Sequence, residues 1–199
     1  MIKIIKINNG APYSRFESFY NKALKSNQNL IEAILIASYD KNKKEVDARY
    51  INLKYILDDE WIFFTNYKSK KASQFELHEQ ISTVFHWESI GLQIRMKAKI
   101  YKTSKEFSNE HFRNRSKLKN ALAISSNQSK KIESYEKVLE QYQIALSNEK
   151  LLSERPNYWG GFSFKPYYFE FWEGNDYRIN KREVFSLKGN DWENFLLQP

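Results

Sequence analysis

The chain has 199 residues, no cysteine and a formal net charge of +8, which suits one domain spanning residues 1–199 and excludes disulfides, thiolate metal sites and a cysteine nucleophile. No run of about 18 apolar residues occurs, and MIKIIKINNGAPY has too short an apolar run and no small-residue cleavage pattern for a secretory signal, so a cytoplasmic protein with no membrane partner is expected. A basic surface attracts phosphate whatever carries it, but Lys and Arg are spread along the chain without a helix-turn-helix, zinc-finger or RNP pattern, which favours small phosphorylated ligands over nucleic acid.

Ser14-Arg15-Phe16-Glu17 has the form of a capping box, and Phe16, Phe19, Tyr20, Ala23 and Leu24 follow at helical spacing, predicting an amphipathic helix. Leu30 to Tyr39, Glu45 to Ile56 and Trp61 to Asn66 read as three consecutive antiparallel strands, joined by the polar stretches Asp40 to Lys44 and Asp58 to Glu60. Ser69 to Gln80 reads as a short helix. Ile81 to Trp87 and Leu92 to Tyr101 read as two more strands around the turn Glu88 to Gly91, which puts five strands before the helical part. Thr103-Ser104-Lys105-Glu106 is a second capping pattern, opening a helix to about Asn114. Leu118 to Ile124 suits another short helix, and from Ser129 the residues Ile132, Tyr135, Leu139, Tyr142 and Leu146 predict a long amphipathic one, with Pro156 closing the linker after it.

Pro156 to Arg182 interleaves aromatic and cationic residues more densely than any other stretch. As a strand it would carry Tyr167, Phe169 and Phe171 on one face and Tyr168, Glu170 and Trp172 on the other, buried on both. A tight turn at Gly174-Asn175 would return Arg178, Asn180 and Arg182 on one face beside Trp172; a core tryptophan flanked by surface arginines fits the same pattern. A strand meander, two or three helices and a final hairpin together predict an α+β domain on an antiparallel sheet or barrel.

Ser69-Lys70-Lys71 at a helix start combines free backbone N–H groups, a hydroxyl and two ammonium charges, which suits an anion; a capped surface helix with solvated lysines accounts for the same residues. Arg49 and Lys54, five apart on one strand, should point to opposite faces. His78, His86 and His111 lack metal-ligand spacing, no glycine-rich nucleotide loop or serine elbow occurs, and Asp58-Asp59 reads as a solvated pair.

Trp159-Gly160-Gly161-Phe162, Glu170-Phe171-Trp172 and Arg178-x-Asn180-x-Arg182 are joined upstream by Arg49-Tyr50-Ile51-Asn52-Leu53-Lys54, Phe64-Thr65-Asn66 and Ser69-Lys70-Lys71-Ala72-x-Gln74, with Gln93 and Gln128-Ser129 in register. This ordered set, running from about Pro12 to the C-terminus, resembles the pyridoxamine 5′-phosphate oxidase family. The resemblance implies an α+β fold, an antiparallel split β-barrel of about six to seven strands with flanking helices, which binds FMN and forms a homodimer with shared active sites. The C-terminal hairpin, about residues 156–199, would complete the site. Arg49, Tyr50, Ser69, Lys70 and Lys71 would serve the FMN phosphate end, with Lys70 where an arginine is usual, so that the charge stays and the bidentate fork is lost. Phe64, lacking the usual tyrosine hydroxyl, and Thr65 would line the flavin and Gln93 would bond its ring, while Gln128, Ser129, Trp172 and Arg182 would come from the neighbouring subunit.

For a phosphorylated or otherwise anionic substrate, the resemblance points to Lys54, His111, Arg115 and Lys119, with Arg178 and Asn180 over the reacting carbon as the catalytic pair. The family's usual residues at His111, Lys119 and Asn180 are tyrosine, serine and histidine. The activity implied is oxidation of pyridoxamine or pyridoxine 5′-phosphate toward pyridoxal 5′-phosphate, with hydride passing to the flavin and O2 reduced to hydrogen peroxide. Two alternatives stand beside it: a related FMN oxidase acting on another substrate, such as a phenazine-biosynthesis intermediate, and a flavin- or heme-binding module without turnover.

Overall fold

A computed structural model describes every residue from Met1 to Pro199. In chain order the elements are β1 (Lys3–Ile7), α1 (Ala11–Lys25), β2 (Ala33–Asp40), β3 (Glu45–Asn52), β4 (Tyr55–Asp58), β5 (Glu60–Asn66), α2 (Lys70–Leu77), β6 (Gln80–Trp87), β7 (Leu92–Lys102), α3 (Lys105–Arg113), α4 (Lys117–Ser125), α5 (Tyr135–Leu146), α6 (Glu149–Ser153), β8 (Trp159–Glu173), β9 (Lys181–Lys188) and β10 (Asp191–Leu197). The sheet runs β1-β4-β5-β8-β7-β6-β2-β3, with β9 on β8 and β10 on β9. Only the pairing of β1 with β4 is parallel.

The class is α+β, an antiparallel split barrel with flanking helices, and the sheet has ten strands rather than six or seven. β8 makes the split. Phe162 to Glu173 pairs with β7 along one edge, while the other edge serves β5 through Trp159–Phe164 and then β9 through Tyr168–Glu173. Between these partners Lys97 pairs with Tyr168 but Ala98 with Pro166, leaving Tyr167 as an extra residue. A bulge reverses side-chain parity, so Phe162 and Phe164 before it and Phe169 and Phe171 after it all enter one core of 28 residues. Tyr167 therefore does not share the face of Phe169. Pro166 is tolerated where the ladder is already interrupted.

Three predicted boundaries move for physical reasons. α1 starts at Ala11 behind Gly10, with Pro12 in its first turn, where proline's fixed φ suits a helix start; Ser14 is interior, and Leu24 lies outside the buried stripe of Phe16, Phe19, Tyr20 and Ala23. Glu45 to Ile56 is two strands, because Leu53 is buried and the Lys54 N–H donates to Ile62 instead of continuing the pairing with β2. The first strands are therefore not a three-strand meander: β3 stays with β2, and β4 lies between β1 and β5. α5 starts at Tyr135 with Ser134 as its cap, not at Ser129, and only Ala145 of it is buried.

Seven strands, not five, precede the helices, since β1 and the separated β4 add to the predicted set. The turn after β8 is a seven-residue loop from 174 to 180, so Arg178 and Asn180 sit on that loop and not on the returning strand. Arg178 has φ 60°, a left-handed conformation uncommon for a side chain of its size.

Phe169 is wholly buried against Tyr13, Trp61 and Trp192. Phe169→Ala should lower unfolding free energy by about 3–5 kcal/mol, the usual cost of emptying a buried aromatic site, measured by urea denaturation; a loss below about 1 kcal/mol would contradict this account of the core.

Candidate functional site

An open cleft of about 880 Å³ lies where β3, the end of β5, the start of α2 and the α3–α4 turn converge. Its lining carries six cationic side chains, Arg49, Lys54, Lys70, Lys71, Arg115 and Lys119, against one carboxylate, Asp47. Such a surface recruits anions before any specific contact forms.

At one end α2 presents its N-terminus. Ser69 holds the N-cap position but makes no capping bond, and its hydroxyl is buried without any partner. Lys71 is almost fully buried, with Nζ 3.4 Å from Thr65 Oγ1. Burial and the nearby Arg49 push its ammonium down to about 8, so it lacks an anionic partner. Arg49 donates to Ser38 Oγ at 2.7 Å and to Gln74 Oε1 at 3.1 Å, which fixes its guanidinium from behind. An unpartnered hydroxyl and a buried, unpaired ammonium beside free helix N–H groups suit a phosphate.

The other end is aromatic. The Phe64 and His111 rings stack at 3.6 Å between centroids and 10° between planes, and Trp159 lies 5.4 Å from Phe64 in nearly the same orientation. Arg115 sits 4.4 Å over the Trp159 ring, a cation–π contact. Burial, then Arg115, Lys54 and Lys119, hold the imidazolium of His111 down to about 4, so the ring is neutral near pH 7. Tyr55 Oη lies 2.8 Å from His111 Nδ1, and burial and Glu110 push the tyrosine hydroxyl up, so it keeps its proton. Tyr55 Oη and His111 Nδ1 therefore share one hydrogen bond between two neutral groups.

Gln128 connects the two ends. Its Oε1 accepts from Thr65 Oγ1 at 3.1 Å and from the Asn66 N–H at 3.3 Å, while Asn66 Nδ2 donates to the Ser126 carbonyl at 3.2 Å. The chain after α4 is thereby clasped across β5, and Gln128 and Ser129 line the cleft of their own chain. This corrects the expectation that both would come from a neighbour. Arg49 and Lys54 also line this one cleft, because the break between β3 and β4 cancels the strand parity that would have separated them. Tyr50, on the outward side of β3, stands exposed at its mouth. Beside Trp159, a side chain at Gly160 would overlap Tyr67 and one at Gly161 would overlap Thr103, which accounts for the glycine pair.

A second cleft, about 560 Å³, is lined by His86, Trp172, Arg178 and Asn180 among others and shares no residue with the first. Gln93 pairs with His86 and Trp172, and Trp172 with Arg182, so these side chains form one row across β6 to β9. Buried Glu170 holds Arg182 at 2.8 and 2.9 Å and also receives Arg95 and Tyr168 at 3.0 Å. Asn180 Oδ1 accepts from the Asn175 N–H at 3.1 Å, so the residue staples its own loop.

Sequence reasoning passed over Asp47, which lines the first cleft, and Tyr55, which hydrogen-bonds the cleft residue His111. Asp47 was visible in principle, since it shares strand parity with Arg49. Tyr55 left no local signal, because its partner is 56 positions away.

A family model described as the pyridoxine 5′-phosphate oxidase C-terminal dimerisation region matches residues 159–199. The pyridoxine/pyridoxamine 5′-phosphate oxidase of Leptospira interrogans is 32% identical over 196 residues, covering 94% of this chain and 88% of that protein. The enzyme of the same name from Cytophaga hutchinsonii is 32% identical over 192 residues, covering 95% and 89%. PhzG from Burkholderia lata 383, solved with tetrahydrophenazine-1-carboxylic acid, superposes with a TM-score of 0.88 at 22% identity, covering 94% of this chain and 92% of that one. A pyridoxamine 5′-phosphate oxidase-related, FMN-binding protein from Nostoc punctiforme gives 0.77 at 13% identity, covering 96% and 99%. At these identities the two structures show a common fold.

The His111 geometry sets a pH dependence. Unfolded, the ring takes a proton near 6.5; folded, only near 4. The unfolded state thus binds more protons between those values, so stability falls as pH drops from about 6.5 to 4 and is unaffected by this group above that window. Urea denaturation at pH 7 and 5 should show a smaller acid loss in His111→Phe than in the parent; equal losses would contradict a neutral buried ring.

Proposed function

Because the chain belongs to the pyridoxine/pyridoxamine 5′-phosphate oxidase family, we propose that it is an FMN-dependent oxidase of a phosphorylated pyridine alcohol or amine, acting as a homodimer. The observation that carries this reading is that the first cleft joins a cationic end at α2 to an aromatic end bordered by Lys54, Arg115 and Lys119. The buried Ser69 hydroxyl and the unpaired Lys71 ammonium fit a cofactor phosphate that Arg49 and Lys70 would also hold. Phe64 would flank the ring system, with Thr65 and Gln128 at its polar edge. Lys54, Arg115 and Lys119 would receive the substrate phosphate, and His111 would place a neutral ring beside them. FMN, when bound, supplies hydride acceptance from the substrate carbon and reoxidation by O2 to hydrogen peroxide.

Trp172, Arg178, Asn180 and Arg182 lie within the segment that matches the dimerisation region. In our reading this segment of a second copy completes the first cleft, with Gln93 from the same row. Glu170 would fix Arg182, and Arg178 would set the substrate against the flavin. Asn180 would hold the loop that carries Arg178; its amide cannot exchange a proton near neutral pH. A second reading keeps FMN and changes the substrate. It is favoured by the amide at Asn180, committed to its own loop, and by the neutral, stacked His111, neither of which offers the charge of an imidazolium near neutral pH.

Flavin fluorescence titration should show FMN binding more tightly than riboflavin, with Arg49→Ala and Lys71→Ala each weakening FMN by about 1–3 kcal/mol, the scale of a charge-assisted hydrogen bond. Equal affinity for the two flavins would rule out the phosphate assignment.

Under anaerobic conditions pyridoxine 5′-phosphate should bleach the flavin-loaded protein, and air should restore the colour with release of peroxide. A yellow, dimeric protein that pyridoxine 5′-phosphate leaves unbleached would instead support the second reading.

A further inference from the structure

The phosphate end of the cleft holds a carboxylate to which no role above is given. Asp47 stands two residues before Arg49 on β3, so both side chains turn to the same side of the strand. Its Oδ2 lies 2.6 Å from Lys70 Nζ and 3.7 Å from Arg49 Nη2, and accepts from Gln74 Nε2 at 2.6 Å. Gln74 is buried, and its Oε1 receives Arg49, so the amide ties carboxylate and guanidinium into one network. Lys70 is nearly half exposed, free to swing on its flexible stem. The bonds from Lys70 and Gln74 hold the Asp47 carboxyl below the usual carboxylate range, so it is ionised near neutral pH.

We propose that Asp47 is a resident counterion that competes with the cofactor phosphate for Lys70. Without phosphate, Arg49, Lys70 and Lys71 crowd like charges around the start of α2, and Asp47 offsets that repulsion. When phosphate arrives, both anions are acceptors with nothing to donate to each other, so Lys70 must leave the carboxylate or hold the phosphate against it. One residue would thus stabilise the empty protein and weaken its hold on the cofactor. A residue that merely oriented the cations would help both. The proposal rests on the reading that this end of the cleft takes the FMN phosphate.

Asp47→Asn separates these roles, because the amide keeps the acceptor toward Lys70 and Gln74 and removes only the charge. On the full-length chain, stripped of flavin and titrated with FMN and with riboflavin by flavin fluorescence, the variant should bind FMN roughly tenfold more tightly, as loss of one near like charge allows. Riboflavin affinity should not change, and the flavin-free variant should melt at a lower temperature than the parent. In a Lys70→Ala background most of the gain should vanish, since the competition runs through that ammonium. Weaker FMN binding, equal tightening of both flavins, or an undiminished gain without Lys70 would overturn the proposal. If the parent itself binds the two flavins equally, the cofactor reading fails; if it prefers FMN and Asp47→Asn changes nothing, Asp47 alone is refuted. Asp47→Ser provides the same comparison should the asparagine variant fold poorly.

Discussion

The handover along one edge of β8 is the constraint from which the rest of the architecture follows. A strand of fifteen residues pairs with β7 on one side and must satisfy two different partners on the other, β5 and then β9. The change of partner falls between Phe164 and Tyr168, and across the strand from it, in the pairing with β7, lies the extra residue Tyr167 beside Pro166. The same residue realigns the phenylalanines, so that four side chains of opposite sequence parity fill one interior. It also separates the functional rows. Trp159 before the bulge belongs to the first cleft, whereas Trp172 beyond it belongs to the second.

Much of this was legible in the chain because burial dictates periodicity. β2, β6 and β7 alternate cleanly between core and solvent, and α3 starts where its capping pattern placed it, though with Ser104 as the cap one residue after Thr103. What escaped was decided by contacts distant in sequence. Glu45 to Ile56 alternates acceptably throughout, yet Lys54 finds its hydrogen bond on β5 and the strand breaks. The apolar spacing from Ser129 suggested helix, but Ser129 takes φ 69° where Gln128 turns back toward Thr65. The candidate site follows the same division. Its cations were readable as residues, and their convergence on one cleft was not, because the strand break and the clasp at Asn66 bring them there.

Electrostatics divides the cleft into unlike halves. At the α2 end the charges are backed by polar side chains, through Ser38, Gln74 and Asp47. At the aromatic end Arg115 rests on Trp159, and His111 is stacked and uncharged between Phe64 and its tyrosine partner. One half is suited to a doubly charged group, the other to a planar molecule that carries its charge at the periphery. A ligand pair of that description would span the cleft without burying an unpaired charge.

β3 is also an outer margin of the sheet, hydrogen-bonded to β2 on one side only. An unpaired strand is a template onto which another chain can add, and proteins commonly deter this with charge. Here Lys43 and Lys44 lead into the strand, and Glu45, Asp47 and Arg49 take alternate positions along it, so an intruding strand would have to desolvate charges of both signs. The charges that line this margin thus also guard it against edge-to-edge association, and a variant neutralised throughout would expose an unprotected strand edge.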